Sequence, residues 1–245
     1  MNVARSTCIA LLTLISACTS PFPRTSTGET LPLMLMPATR VGISDQRARF
    51  REIFCAILDE RQDSLPDYRP CEETLTRVNK EPPESGDPVD LGQSRTGLTA
   101  LIVPGVGWDC FEEWMDTHDT MAGHVEQFGY RLSTLRVEGL SSSTRNAALI
   151  RDALLSDPAL ADTRNVVLIG YSKGANDSLE ALVSYPEIRE RIVAVISAAG
   201  SIGGSPLAED AKQAHLSLIT NWPGAECTAG DAGAIESLRP SVRQQ

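Results

Sequence analysis

The chain has 245 residues and a formal net charge of −10, with 42% hydrophobic and 22% charged residues. This length is enough for a sizeable hydrophobic core. The net negative charge argues against a nucleic-acid-binding protein, which needs a basic face. Since the sequence shows no metal-ligand spacing and no phosphate-binding loop, we expect neither a metal ion nor a cofactor.

Residues 1–17 have the pattern of a secretory signal peptide. Arg5 supplies a positive charge, an apolar run covers residues 9–15, and small residues precede Cys18. The apolar run is too short to span a bilayer, which needs about 20 residues. Small residues before a cysteine resemble a bacterial lipoprotein signal, which implies cleavage before Cys18 and lipid attached to its thiol. The alternative is a plain secretory signal that ends near a cysteine.

Two further segments precede the main domain. Residues 18–40, rich in Thr, Ser and Pro, are predicted to be a flexible tether, and residues 41–95 a helical N-terminal segment. Apolar residues at helical spacing predict one buried face in this segment: Phe50, Ile53, Phe54, Ile57 and Leu58. With the lipid anchor, this organisation predicts a membrane-attached protein of the bacterial cell envelope that faces the periplasm or the exterior.

Four cysteines remain after the signal region: Cys55, Cys71, Cys110 and Cys227. An even number in an exported protein predicts disulfides. We favour a bond between Cys55 and Cys71, which flank a turn-like segment and are nearest in sequence. That choice leaves Cys110 to pair with Cys227. Buried free thiols are the alternative.

Residues 96–245 alternate apolar strands with amphipathic helices. Strands are predicted at 98–105, 130–138, 165–171 and 192–200, and helices at 111–129, 143–157, 173–186 and 206–216. This alternation predicts an α/β fold whose strands form a mostly parallel sheet. Because the strands are apolar throughout, we expect helices on both faces of the sheet.

The segment "VVLIGYSKGAND", residues 166–177, contains the motif Gly-x-Ser-x-Gly around Ser172. The motif alone is weak, but here it joins a buried strand to an amphipathic helix, which is the setting of a nucleophile elbow. Glycines before and after the serine let strand and helix approach each other closely. The alternative is an ordinary turn in which Ser172 caps the helix.

With these residues the chain resembles the α/β-hydrolase superfamily over residues 96–206. The segments "ALIVPGVGWDCF" and "LEALVSYPEIRERIVAVISAAG" extend the resemblance beyond the elbow. It implies an esterase or lipase that forms an acyl-enzyme on Ser172, with small-molecule or lipid esters as substrates. It also implies two backbone oxyanion donors, the N–H groups of Lys173 and Val106. The Lys173 side chain is expected to point away from the site.

The sequence departs from this family where the catalytic base and acid are expected. His215 is the only histidine after Ser172, and no convincing strand pair follows residue 200. Glu209 and Asp210 fall in the same predicted helix as His215, and Asp177 and Glu180 lie along the helix after the elbow. We favour a shortened chain without its base over recruitment of His215. The function is therefore either ester hydrolysis or a non-catalytic structural or binding role.

Overall fold

The computed structural model describes residues 42–90, 92–94, 96–111, 123–160, 163–211 and 220–243. The chain forms two compact units, and the boundary between them lies between Val89 and Asp90. Within those ranges no helix is both long enough and apolar enough to cross a membrane. The predicted signal peptide, tether and Cys18 lie outside the described residues.

The first unit is built on helix α1, Arg47–Arg61, which continues into a 3₁₀ turn at Gln62–Ser64. A short helix, α2, follows at Cys71–Thr74. The disulfide between Cys55 and Cys71 connects α1 to the first residue of α2, which confirms the predicted pairing. A crosslink is valuable in such a small unit, because it limits the conformational freedom of the unfolded chain.

The buried side of α1 differs from the predicted apolar face. Phe50 is 60% exposed and Ile57 is 41% exposed, whereas Arg51 is only 4% exposed. The Arg51 guanidinium donates two hydrogen bonds to the Glu81 carboxylate, at 3.0 and 3.1 Å, and a third to the carbonyl of Leu75 at 2.9 Å. Helical periodicity correctly identified a stripe of apolar residues, but it carries no information about which side of the helix is covered.

The second unit contains a four-stranded sheet. The strands are β1 (Thr99–Val103), β2 (Arg131–Thr134), β3 (Val166–Tyr171) and β4 (Ile192–Ala198). Their order in the sheet is β2-β1-β3-β4, and each neighbouring pair is parallel. The central pair, β1 and β3, aligns Thr99 with Val166 and Val103 with Gly170. The predicted α/β fold with a parallel sheet and packed helices is confirmed.

The helices of the second unit are α3 (Ser143–Ser156), α4 (Lys173–Ser184), α5 (Pro206–Asp210), α6 (Ala234–Ser237) and α7 (Pro240–Arg243). Helix α3 begins where the Ser142 hydroxyl accepts a hydrogen bond from the Arg145 N–H at 3.1 Å. Such a side-chain cap satisfies one of the N–H groups that a helix start leaves without an intrahelical partner.

Apolar side chains of α3, α4, β1 and β3 share one core. Its buried members include Leu101, Val103, Ala147, Ile150, Leu154, Val166, Leu168 and Ala181. Strand β4 departs from this pattern, because Val193 is 54% exposed and Ile196 is 50% exposed. Among the described residues β4 is an edge strand, so its exposure follows from its place in the sheet.

Since the strands are parallel, the loops that follow β1, β3 and β4 lie along one edge of the sheet. Those loops begin at Pro104, Ser172 and Ala199. In open parallel sheets this carboxyl edge is where ligands bind. The fold therefore brings the Gly-x-Ser-x-Gly turn next to the loop that follows β1.

Candidate active site

Ser172 occupies the turn between β3 and α4 in a backbone conformation that few residues other than glycine adopt. Its φ is 53° and its ψ is −119°. Its N–H donates to the Ala198 carbonyl at 2.9 Å, and its carbonyl accepts from the Ala175 N–H at 3.2 Å. Strain of this kind is held in place only by a well-packed environment and is found at functional sites. The turn therefore has the backbone geometry of a nucleophile elbow rather than that of an ordinary helix cap.

The two glycines of the motif are required by close contacts between backbones. A Cβ added at Gly170 would lie 2.4 Å from the Ala175 Cα, and one added at Gly174 would lie 1.9 Å from the Val103 carbonyl oxygen. Neither distance leaves room for a methyl group. The glycines thus allow α4 to start directly above β1 and β3, with Ser172 at the tip of the turn.

The loop after β1 lies against Ser172. A Cβ added at Gly105 would be 3.0 Å from the Ser172 Cβ and 3.5 Å from its Oγ. The next two residues are Val106 and Gly107, and the Gly107 N–H donates to the Gly139 carbonyl at 3.1 Å. Among the described residues, no carbonyl accepts a hydrogen bond from the N–H of Val106 or of Lys173.

The Lys173 side chain, which is expected to point away from the site, is buried and pairs with Asp177 on the same helix. Lys173 is 1% exposed, and its Nζ lies 2.8 Å from both carboxylate oxygens of Asp177, which is fully buried. Burial lowers the pKa of the Lys173 ammonium, and the attraction of Asp177 opposes that shift. Because Nζ is paired with both oxygens of Asp177, the side chain belongs to the framework of the turn.

Asn146 of α3 extends this buried pair to a neighbouring loop. Its Nδ2 donates to Asp177 Oδ2 at 2.8 Å and to the Glu138 carbonyl at 3.0 Å. Its Oδ1 accepts from the Glu138 N–H at 3.1 Å. Sequence reasoning missed Asn146 altogether. The spacing of Lys173 and Asp177, four residues apart on a helix, was a readable signal for an ion pair, but nothing local in the sequence points to Asn146.

Comparison with known proteins identifies the family. No protein-family model and no curated protein matches the sequence. Among solved structures, the metagenomic carboxyl esterase MGS0156 is 36% identical, with a TM-score of 0.73 over 95% of this chain and 67% of the esterase. The chain belongs to the α/β-hydrolase family. The mature lipase BlEst2 of Bacillus licheniformis is 22% identical over 65% of this chain and 61% of the lipase, with a TM-score of 0.47.

In an α/β-hydrolase the nucleophile needs a base, and the described residues place none beside Ser172. No described side chain forms a hydrogen bond with Ser172 Oγ. His118 and His215 lie outside the described residues. His124 is exposed, pairs through Nδ1 with Gln127 Nε2 at 2.8 Å and packs edge-on against Phe128.

Three of the carboxylates that follow Ser172 have other partners. Asp177 holds Lys173, and Glu180 accepts from the Thr144 hydroxyl at 2.6 Å. Glu209 accepts from the Ser241 N–H at 2.9 Å, and that hydrogen bond lowers the pKa of its carboxyl. The predicted helix over 206–216 is wrong in extent, because α5 ends at Asp210 and the next residue is extended. Glu209 is therefore not on one continuous helix with His215.

The second disulfide of this α/β-hydrolase lies next to the loop that follows β1. Cys110 pairs with Cys227, as predicted. Cys110 and Leu140 form a small buried cluster against which Val106 packs. Two structural disulfides indicate an extracellular or periplasmic protein, since the cytosol keeps thiols reduced.

Proposed function

We propose that this α/β-hydrolase hydrolyses carboxylic esters through an acyl-enzyme on Ser172. The observation that carries the proposal is the turn itself, in which Ser172 has φ 53° at the carboxyl edge of the sheet and the Gly105 loop lies against its hydroxyl. The similarity to a carboxyl esterase at 36% identity supports an ester as the substrate class.

In the proposed first step, Ser172 Oγ bonds to the ester carbonyl carbon as a base takes the hydroxyl proton. The carbonyl oxygen becomes an oxyanion, which accepts hydrogen bonds from the N–H groups of Lys173 and Val106. Both N–H groups are without a described acceptor, and Lys173 is the first residue of α4, where the helix dipole also favours negative charge. The ester C–O bond then breaks, and the alcohol leaves with the proton.

In the second step, water attacks the acyl carbon and its proton passes to the base. The Ser172 C–O bond breaks, the base returns the proton to Ser172 Oγ, and the carboxylic acid is released. His215, the only histidine after Ser172, is the candidate base to be tested, and a chain without its base is the alternative that the sequence favours. The second candidate function is a non-catalytic structural or binding role, favoured by the sequence because it has no histidine other than His215 after Ser172.

A fluorophosphonate probe, which forms a covalent adduct with activated serines, tests this proposal. We expect labelling of the wild-type chain and loss of labelling in Ser172→Ala. The matched control is Ser184→Ala, which removes an exposed hydroxyl from the other end of the same helix. Labelling that persists in Ser172→Ala would exclude Ser172 as the nucleophile. No labelling of folded wild-type protein would contradict ester hydrolysis and favour the non-catalytic role.

His215→Ala separates the two ways in which the hydroxyl could be activated. If His215 is the base, labelling and hydrolysis of p-nitrophenyl esters should fall by about 10²-fold or more. Unchanged labelling in this variant would exclude His215 as the base and require the proton acceptor to be another group. Rates across acetyl, butyryl and longer acyl esters then distinguish small-molecule esters from lipid esters.

We further propose that lipid on Cys18 anchors the protein in the bacterial cell envelope. The small residues before Cys18 and the apolar run at 9–15 support this. Expression with radiolabelled palmitate should label the wild-type chain, which should partition with membranes, and Cys18→Ser should lose both properties. A Cys18→Ser protein that stays with the membrane would contradict the proposal.

A further inference from the structure

The two proposed oxyanion donors belong to different parts of the chain. Lys173 begins α4, and Val106 lies in the loop after β1. An oxyanion hole works only if both N–H groups stand within hydrogen-bond reach of one oxygen. The spacing between these two segments must therefore be held by contacts outside the donors themselves.

A path of hydrogen bonds and adjacent backbone residues leads from one donor to the other, and its first part is buried. It starts at the Lys173 ammonium, which pairs with Asp177, and passes through Asp177 Oδ2 to the Asn146 amide. The Asn146 side-chain amide forms hydrogen bonds with both the N–H and the carbonyl of Glu138. The Lys173, Asp177 and Asn146 side chains are 0–1% exposed, so water does not compete for the bonds among them.

The adjacent residue, Gly139, completes the path to the loop that carries Val106. Its carbonyl accepts from the Gly107 N–H at 3.1 Å, and its own N–H donates to Asp109 Oδ1 at 3.0 Å. A Cβ at Gly139 would lie 2.3 Å from Asp109 Oδ1 and 2.7 Å from the Gly107 nitrogen. The close approach leaves little freedom for the loop to shift relative to Glu138.

We infer that Asp177 and Asn146 are positioning residues that set the spacing of the two oxyanion donors by tying the Lys173 side chain to the loop that carries Val106. This inference rests on the proposed function of the site. Leucine or methionine would fill the same volume, but neither forms directional hydrogen bonds, and a buried ion pair is by itself weak support for stability. The oxyanion hole requires both N–H groups to point at one oxygen, because displacing a catalytic group by about 1 Å can reduce the reaction rate by about 10²-fold.

Two variants remove hydrogen bonds between Lys173 and Glu138 but keep the backbone N–H groups of Lys173 and Val106. Asn146→Leu removes the bridge between Asp177 and Glu138 and keeps a similar volume. The double variant Lys173→Met, Asp177→Leu removes both charges of the pair together, so neither is left buried alone, and it keeps the Lys173 backbone N–H. Arg51→Met with Glu81→Gln is the matched control, because it breaks a buried ion pair in the first unit.

The first measurement is hydrogen exchange, which requires no activity. We expect the Gly107 amide to exchange at least tenfold faster in both path variants, with the amides of β1 and β3 unchanged. The second is the rate of fluorophosphonate labelling and of ester turnover. We expect labelling and kcat to fall by about tenfold or more with KM little changed, because the ground-state ester does not use the oxyanion donors fully. The control should match wild type in both measurements.

Unchanged Gly107 exchange in either folded variant would overturn the inference, as would unchanged labelling despite faster exchange. If Asn146→Leu does not fold, the double variant Lys173→Met, Asp177→Leu tests the inference by the same two measurements. If wild-type protein is folded but is not labelled, the proposed function fails. The exchange measurement then still shows whether Asn146 and Asp177 hold the loop.

Discussion

Gly174→Ala should have two opposing effects on the free energy of unfolding. Gly174 is the second residue of α4, where helix propensity favours alanine over glycine by at most about 1 kcal/mol. Against this, the added Cβ would lie 1.9 Å from the Val103 carbonyl oxygen and 2.7 Å from the Pro104 carbonyl oxygen. Real Cβ atoms essentially never approach closer than 3.0 Å, so α4 and β1 must separate by 3.0 − 1.9 = 1.1 Å.

Both contacted atoms are backbone atoms of the sheet and the loop, so no flexible side chain can yield. Overpacking of this kind costs about 1–3 kcal/mol, and a backbone clash belongs at the upper end. Once the gain in helix propensity is subtracted from this cost, we expect Gly174→Ala to lower the free energy of unfolding by about 2 kcal/mol. For a domain of this size that corresponds to a decrease in Tm of roughly 4–8 °C.

Calorimetry of thermal unfolding measures this loss of stability, with Gly203→Ala as the matched control. A Cβ at Gly203 meets no atom within 4 Å, so the control should stay within about 0.5 kcal/mol of wild type. Gly174→Ala should also label more slowly with fluorophosphonate, since the displaced turn carries Ser172, the proposed nucleophile. A Tm equal to or above that of wild type would show that α4 and β1 do not approach this closely, and would refute the reasoning.

Three further changes have expected outcomes. Cys110→Ser with Cys227→Ser opens a crosslink that spans 117 residues, and calorimetry should show a loss of about 2–5 kcal/mol. Ser142→Ala removes the cap of α3 and should cost about 0.5–2 kcal/mol in urea unfolding, whereas an unchanged midpoint would contradict the cap. Hydrogen bonds from Ser85, Gly86 and Arg49 lower the pKa of Glu52 from 4.5 to about 2. This contribution to stability is present above pH 4.5 and is lost as the pH falls towards 2, so Glu52→Gln should flatten the acid limb of the stability profile.

The sharp turn at Ser172 could be predicted because its determinants are local. The apolar run of β3, the glycines at 170 and 174 and the amphipathic start of α4 are adjacent in sequence, and together they specify a strand, a sharp turn and a helix. The pairing of Cys55 with Cys71 was predictable for the same reason, because the two are near in the chain. Where a feature depends on neighbours in sequence, pattern and backbone chemistry suffice to find it.

Features that depend on distant residues were not accessible in this way. Asn146 meets Asp177 across 31 residues, and an asparagine in an amphipathic helix gives no sign of its partner. The burial of the Lys173 ammonium reverses the usual expectation for lysine, and only the presence of Asp177 and Asn146 explains it. The exposed Phe50 of α1 shows the same limit, since a helical stripe does not reveal what covers it.

The loop that carries Val106 is held by three contacts to distant parts of the chain, in contrast to the local turn at Ser172. Gly107 bonds to Gly139, and the Asp109 carboxylate accepts from Gly139 and also from the Thr228 N–H at 3.1 Å. The Cys110 disulfide adds a covalent attachment to the same C-terminal segment. Because the loop is already held in the folded protein, it would need little reorganisation when the proposed oxyanion forms. Removal of Ser172 should therefore abolish labelling and leave the fold intact. Loosening the loop should slow labelling although every proposed reacting group is still present.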